Sequence, residues 1–184
     1  MHKHIHKLYT KTQKQADYYW CLFNTLSAEQ LLFKPSLDSW SIAQVVDHLY
    51  KVDKQTYQFL VNFDFDRKNQ VLGVKERINS LLLKISLRSR RRFRVPKNAE
   101  INPFIAEEKI YPETIKAEWL NLRDKMKRFL ESFPEDKHQH FVFVHPVVGK
   151  LNILQTLGFL DDHLYHHRRQ VKRIKNHPAF PKRF

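Results

Sequence analysis

The chain has 184 residues, 42% of them hydrophobic, and its 33 Lys and Arg outweigh 19 Asp and Glu for a formal charge of +14; this length fills one core and favours a single domain over residues 1–184. Such a charge favours anionic partners, whether nucleic acid, a membrane surface or a small molecule, while three glycines are too few for a turn-rich sandwich or a phosphate-cradling loop. Cys21 stands alone, which excludes an internal disulfide and a cysteine-only zinc site. With no secretory pattern behind MHKHIHKLYT and no apolar run near about eighteen residues, it points to a cytoplasmic protein that does not enter a membrane.

His2, His4 and His6 alternate with other residues and read as a loose terminus. From Leu8 to Leu26 apolar residues recur at three-, four- and seven-residue steps, which predicts a first helix with Cys21 packed inside it. Ser27 to Gln30 make a short capped turn, and Pro35, Ser36 and Asp38 mark a loop. Ser41 and Gln44 then form a capping box, with Trp40 placed to pack on Val45 as a hydrophobic staple, so a second helix is predicted from about Ile42 to Phe63. Val74 to Leu87 has a helical pattern, followed by a basic run and an extended excursion around Pro96 and Pro103. Pro112 opens a third helix that runs through Trp119, Met126 and Leu130 to Pro134. After Phe141 to Val144 and the turn signals His145, Pro146 and Gly149, Asn152 and Gln155 cap a fourth helix reaching about Lys175. No strong strand signal appears. The expected fold is all-α, an antiparallel four-helix bundle with one long connection between helices two and three.

His163 and His167 lie one turn apart, about 40° around the fourth helix, so both imidazoles can address one point. Gln170, Thr156 and Phe159 share their face. Asp161 and Asp162 point roughly 160° and 100° away from His163, and are expected to be solvated or to stand behind the ligands. His48 sits mid-helix beside Val45 and Val52, either as a third ligand or as a core histidine satisfied by a carbonyl or an acid.

Two blocks carry a family resemblance. Leu26 to Leu49, LSAEQLLFKPSLDSWSIAQVVDHL, and His145 to Ile174, HPVVGKLNILQTLGFLDDHLYHHRRQVKRI, resemble the DinB-like (YfiT-like) superfamily. The first places Trp, Ser and Ile before a helix-two histidine; the second joins a His-Pro turn to a helix with H-x-x-H-H-x-x-Q. The resemblance implies a divalent metal, zinc or nickel, held by His48, His163 and His167, with His166 as a non-ligand. Gln170, His166, Gln44 and Thr156 become the candidates for lining the pocket. It also implies thiol-dependent transfer with a low-molecular-weight thiol, and homodimers are common among such proteins.

Three neutral imidazoles around such an ion leave a coordination position open for a small-molecule substrate, suited to an S-transferase or a hydrolase. No general base, Ser-His-Asp set or HExxH motif is legible. The competing reading is a basic nucleic-acid-binding helical protein with a structural or absent metal, resting on Arg88, Arg90, Arg91, Arg92, Arg94 and Lys97 with Phe93 among them.

Overall fold

The computed structural model describes residues 1–64, 71–89 and 111–182. The expectations placed on Arg90 to Arg94, Pro96, Lys97 and Pro103 lie outside the described residues. Among the described residues six α-helices and one hairpin follow in order: α1 (Lys3–Thr25), α2 (Ala28–Leu32), α3 (Ile42–Val61), α4 (Val74–Arg88), α5 (Pro112–Glu131), β1 (Phe141–His145), β2 (Gly149–Asn152) and α6 (Ile153–Lys175).

Local chemistry sets most of these boundaries. Capping boxes start three helices, with Ser27 and Gln30 before α2, Ser41 and Gln44 before α3, and Asn152 and Gln155 before α6. Each box satisfies two backbone N–H groups that the helix start leaves unpaired. Pro112 occupies the first turn of α5, where its missing N–H costs nothing.

Three expectations need correction. The terminus is not loose: α1 begins at Lys3, capped by His2, because Ile5 is fully buried and pins the first turn to the core. Cys21 is exposed, lying about 200° around α1 from the buried Tyr19. Residues 141–152 form a small antiparallel hairpin, with His145 opposite Gly149 and Val144 opposite Lys150. Gly149 turns it at φ +80°, a value side chains avoid.

The four long helices α1, α3, α5 and α6 form the expected bundle. α1 and α3 each pack against both α5 and α6. Contacts run antiparallel between α1 and α5 and between α3 and α6. Tyr19 bonds the Leu164 carbonyl and Lys11 pairs with Asp161, so α1 and α6 run side by side in one direction. Tyr50 meets Glu118 and Tyr57 meets Phe129, so α3 and α5 do the same. A parallel helix pair needs a long return, and the stretch from Asn62 to Tyr111 that carries α4 provides it.

Two apolar layers fill the interior. One gathers Ile5, Leu60, Met126, Leu130 and Leu157, and the other Phe23, Val45, Leu49, Trp119 and Leu164. Between them in sequence on three helices lies a polar knot. Arg123, 2% exposed, donates to Asp53 at 2.7 Å, to Thr12 at 2.9 Å and to Gln13. Trp119 Nε1 donates to the same Asp53 oxygen at 2.7 Å, and Tyr9 donates to the Arg123 carbonyl at 2.6 Å.

α4 lies outside the bundle, burying Leu83 and Leu87 and packing on α6. Its end corrects another expectation, since Asp161 and Asp162 are 1% and 4% exposed rather than solvated. Arg88 covers both, at 2.7 Å and 2.5 Å, and Lys11 reaches Asp161 at 2.6 Å.

Replacing Asp53 with Ala strips the buried Arg123 guanidinium of its counter-charge. The expected loss is about 3–5 kcal/mol, read as a lowered urea midpoint, whereas Asp124→Ala at the exposed Arg128 pair should change the midpoint little.

Candidate metal centre

His48 stands seven residues after the Ser41 cap, on the face of α3 that meets α6 antiparallel. His163 and His167 sit one turn apart in the middle of α6. The structure brings the three rings together: His48 Nε2 is 3.2 Å from His163 Nε2, which is 3.0 Å from His167 Nε2. The rings stand mutually edge-on, with centroids 5.1, 4.9 and 4.6 Å apart. Among the described residues this is the group of three whose ligand atoms all lie within 4.8 Å of one another.

The donor set fits a metal ion on two counts. Nitrogens about 2.0–2.1 Å from one zinc ion stand roughly 2.8–3.4 Å apart for angles between square and tetrahedral, and both contacts fall in that span. The proton count points the same way. His167 Nδ1 donates to Gln170 Oε1 at 2.8 Å, so a neutral His167 presents a bare Nε2. His163 Nε2 faces two nitrogens and carries one proton at most. A donor proton on His48 leaves His163 and His167 lone pair against lone pair, so neutral rings cannot give each contact its own donor. A cation between the three relieves both.

Burial pushes the pKa of His163 and of His167 well below the ordinary value, and the neighbouring imidazoles push the same way. Both rings are 9% exposed, so low dielectric disfavours their charged form. The neutral, ligating form is the one this environment selects.

The other expected residues divide. Gln170 touches a ring of the triad and fixes its tautomer. His166 turns aside, its Nδ1 donating to the Leu87 carbonyl at the end of α4 at 3.1 Å. Gln44 accepts from the Ser41 amide at 3.0 Å within the α3 cap. Thr156, fully buried, donates to the Asn152 carbonyl at 2.8 Å. Sequence reasoning placed Phe159 on the histidine face but gave neither it nor Trp40 a role as an aromatic wall. Trp40 lies 5.2 Å from the His48 ring and stacks at 6.5 Å and 14° on His167, beyond its expected staple role. Phe159, four residues before His163, stacks on it at 5.3 Å and 23°. His145 packs edge-on against Phe159 at 4.5 Å.

A family model of the DinB superfamily matches residues 11–171, a span that holds all three histidines. The chain belongs to the DinB superfamily. One relative, the uncharacterized protein YuaE of Bacillus subtilis (strain 168), is 29% identical over 156 residues, covering 85% of this chain and 90% of its own length. Among solved structures, YfiT from Bacillus subtilis matches with a TM-score of 0.60 at 15% identity, over 98% of this chain and 91% of that one. That protein is described as a probable metal-dependent hydrolase with an unusual four-helix bundle topology. At that identity the likeness carries the fold, and the DinB bundle described above agrees with it.

His145 gives a measurable pH signature. Its Nδ1 accepts from the Val147 and Val148 amides at 3.1 and 3.3 Å, and burial lowers its pKa to about 4. Unfolded, it takes a proton near the ordinary value of 6.5; folded, it resists until about 4. The unfolded state therefore binds more protons across that window, and stability present above it is lost as the pH falls toward 4. This residue should contribute up to roughly 3 kcal/mol of that loss. Because His163 and His167 shift in the same direction, the test is the difference between the native chain and His145→Asn, whose denaturant midpoint should fall less steeply from pH 6.5 to 4.

Proposed function

We propose that this DinB protein is a divalent-metal-dependent enzyme, its ion held by His48, His163 and His167, acting on a small molecule by thiol-dependent S-transfer or by hydrolysis. The observation that carries the reading is the convergence of three Nε2 atoms separated by 3.2 and 3.0 Å. Three uncharged nitrogen ligands select a borderline ion, zinc or nickel, and leave room beside it. When bound, that ion supplies Lewis acidity, lowering the pKa of a water or thiol to near neutrality.

The chain's own residues would orient the site. Gln170 holds His167 in the ligating tautomer, Phe159 supports the His163 ring, and Trp40 supplies an apolar wall over His48 and His167. Asp161 and Asp162 are occupied by Arg88 and Lys11, so neither is placed as the general base. S-transfer then suits the site, since a thiol loses its proton more readily than water and needs less help from a base. The description of YfiT as a metal-dependent hydrolase supports the second chemistry on the same ion. Arg88, the first residue of the basic run, is engaged by the two aspartates, which weakens its part in the nucleic-acid reading.

Elemental analysis of untagged protein in which His2, His4 and His6 are replaced by Gln should find one zinc or nickel per chain, and His163→Ala should remove it. Thiols screened with electrophiles should then show turnover by the native chain that His163→Ala and chelation both abolish. A folded chain that takes up neither ion when supplied with excess would overturn the reading.

A further inference from the structure

A second group of metal-ligating side chains gathers where the start of α1 meets the turn after α5. The His2 ring lies 4.4 Å from the His138 ring and 5.4 Å from that of His4. Its Nε2 is 3.2 Å from Glu135 Oε1. His138 packs on Phe133, with ring centroids 5.8 Å apart, and is 9% exposed. Its Nε2 is buried without a hydrogen-bond partner. A buried polar atom left so is unfavourable, and a bound ion or a hydrogen bond removes that penalty.

We propose that His2, His138 and Glu135 form a second divalent-cation site, for a borderline ion such as zinc, built from two imidazoles and a carboxylate. That donor set is one zinc accepts. The three donors come from the cap of α1, the turn Glu135–Lys137 and the residue after it, so an ion there ties the first turn of the chain to the connection between α5 and β1. The group is less gathered than the bundle triad, whose ligand atoms all lie within 4.8 Å. Glu135, 80% exposed, must swing onto the ion. His2 must also move its ring proton to Nδ1, giving up a long 3.4 Å bond from the His4 amide. Both changes cost binding energy and make this the weaker of the two sites.

The experiment is titration of metal-free, untagged full-length chain with zinc alone, followed by calorimetry and thermal melting. Two binding steps are expected, and His138→Gln should remove the weaker one together with the rise in melting temperature that accompanies it. His2→Gln and Glu135→Gln, at surface positions that leave the core intact, should each weaken that step by about tenfold or more, so the outcome does not depend on His138→Gln folding. If the bundle triad takes no zinc, the terminal step remains alone and still responds to these three variants. A weaker step unchanged by His2→Gln and Glu135→Gln would assign the zinc to exposed His4 and His6 and overturn the proposal. A chain whose only zinc is the one His163→Ala removes would overturn it equally.

Discussion

Imidazole lone pairs aimed at one buried point repel one another, and the site exists because the bundle holds three of them there regardless. The two Nε2 contacts at 3.2 and 3.0 Å are not what a core of independently satisfied histidines would settle into. Each ring would otherwise turn toward a carbonyl or a carboxylate, as His166 does toward Leu87. Gln170 shows that the ligating arrangement is built in, because its bond to His167 Nδ1 directs the free lone pair inward. The aromatic rings of Trp40 and Phe159 then surround the triad with groups that offer no competing hydrogen bond along their faces.

Holding the rings there is a matter of helix phase. His48 faces α6 because the Ser41 and Gln44 box fixes where α3 begins, and from that start the seventh residue on falls on the inner stripe. The phase of α6 is set in the same way by Asn152 and Gln155, with the hairpin feeding directly into the cap. The antiparallel contact between α3 and α6 brings the two settings together. Below the site, the Arg123 and Asp53 knot joins α1, α3 and α5, so the helix carrying His48 is tied to two others by bonds that tolerate little sliding.

The four long helices, the capping boxes of α3 and α6 and the i, i+4 pair His163 and His167 were legible because each is written locally, whereas His48 was left open between ligand and core histidine by its own helix and joined the pair only through the family resemblance. What stayed hidden depends on partners far along the chain. Asp161 and Asp162 look like solvent-facing residues by helix angle, and their burial is offset by Arg88 and Lys11, both more than 70 positions away. His2 reads as a frayed terminus until Ile5 and His138 are placed. The hairpin was missed because strands of five and four residues are too short to show a period, although Gly149 at positive φ was marked as a turn. The pairing of α1 with α6 and of α3 with α5 in the same direction had no local trace either, since direction follows from where the long connection returns.

The neighbouring residues of α6 explain why the adjacent histidines have separate fates. His163, His167 and Gln170 lie on the face toward α3, while Asp162, His166 and Arg169 are each displaced from them by one residue, about 100° around the helix. That second face receives the end of α4: Arg88 reaches Asp162, His166 donates to the Leu87 carbonyl, and Arg169 donates to the carbonyls of Arg88 and Ser89. A helix C-terminus presents unpaired carbonyls and partial negative charge, which these donors satisfy. His166 is therefore committed to α4 by its Nδ1 and cannot turn inward without stripping a carbonyl of its donor. The docking of the side helix thus does for His166 what Gln170 does for His167, and it leaves one of two adjacent imidazoles for the triad.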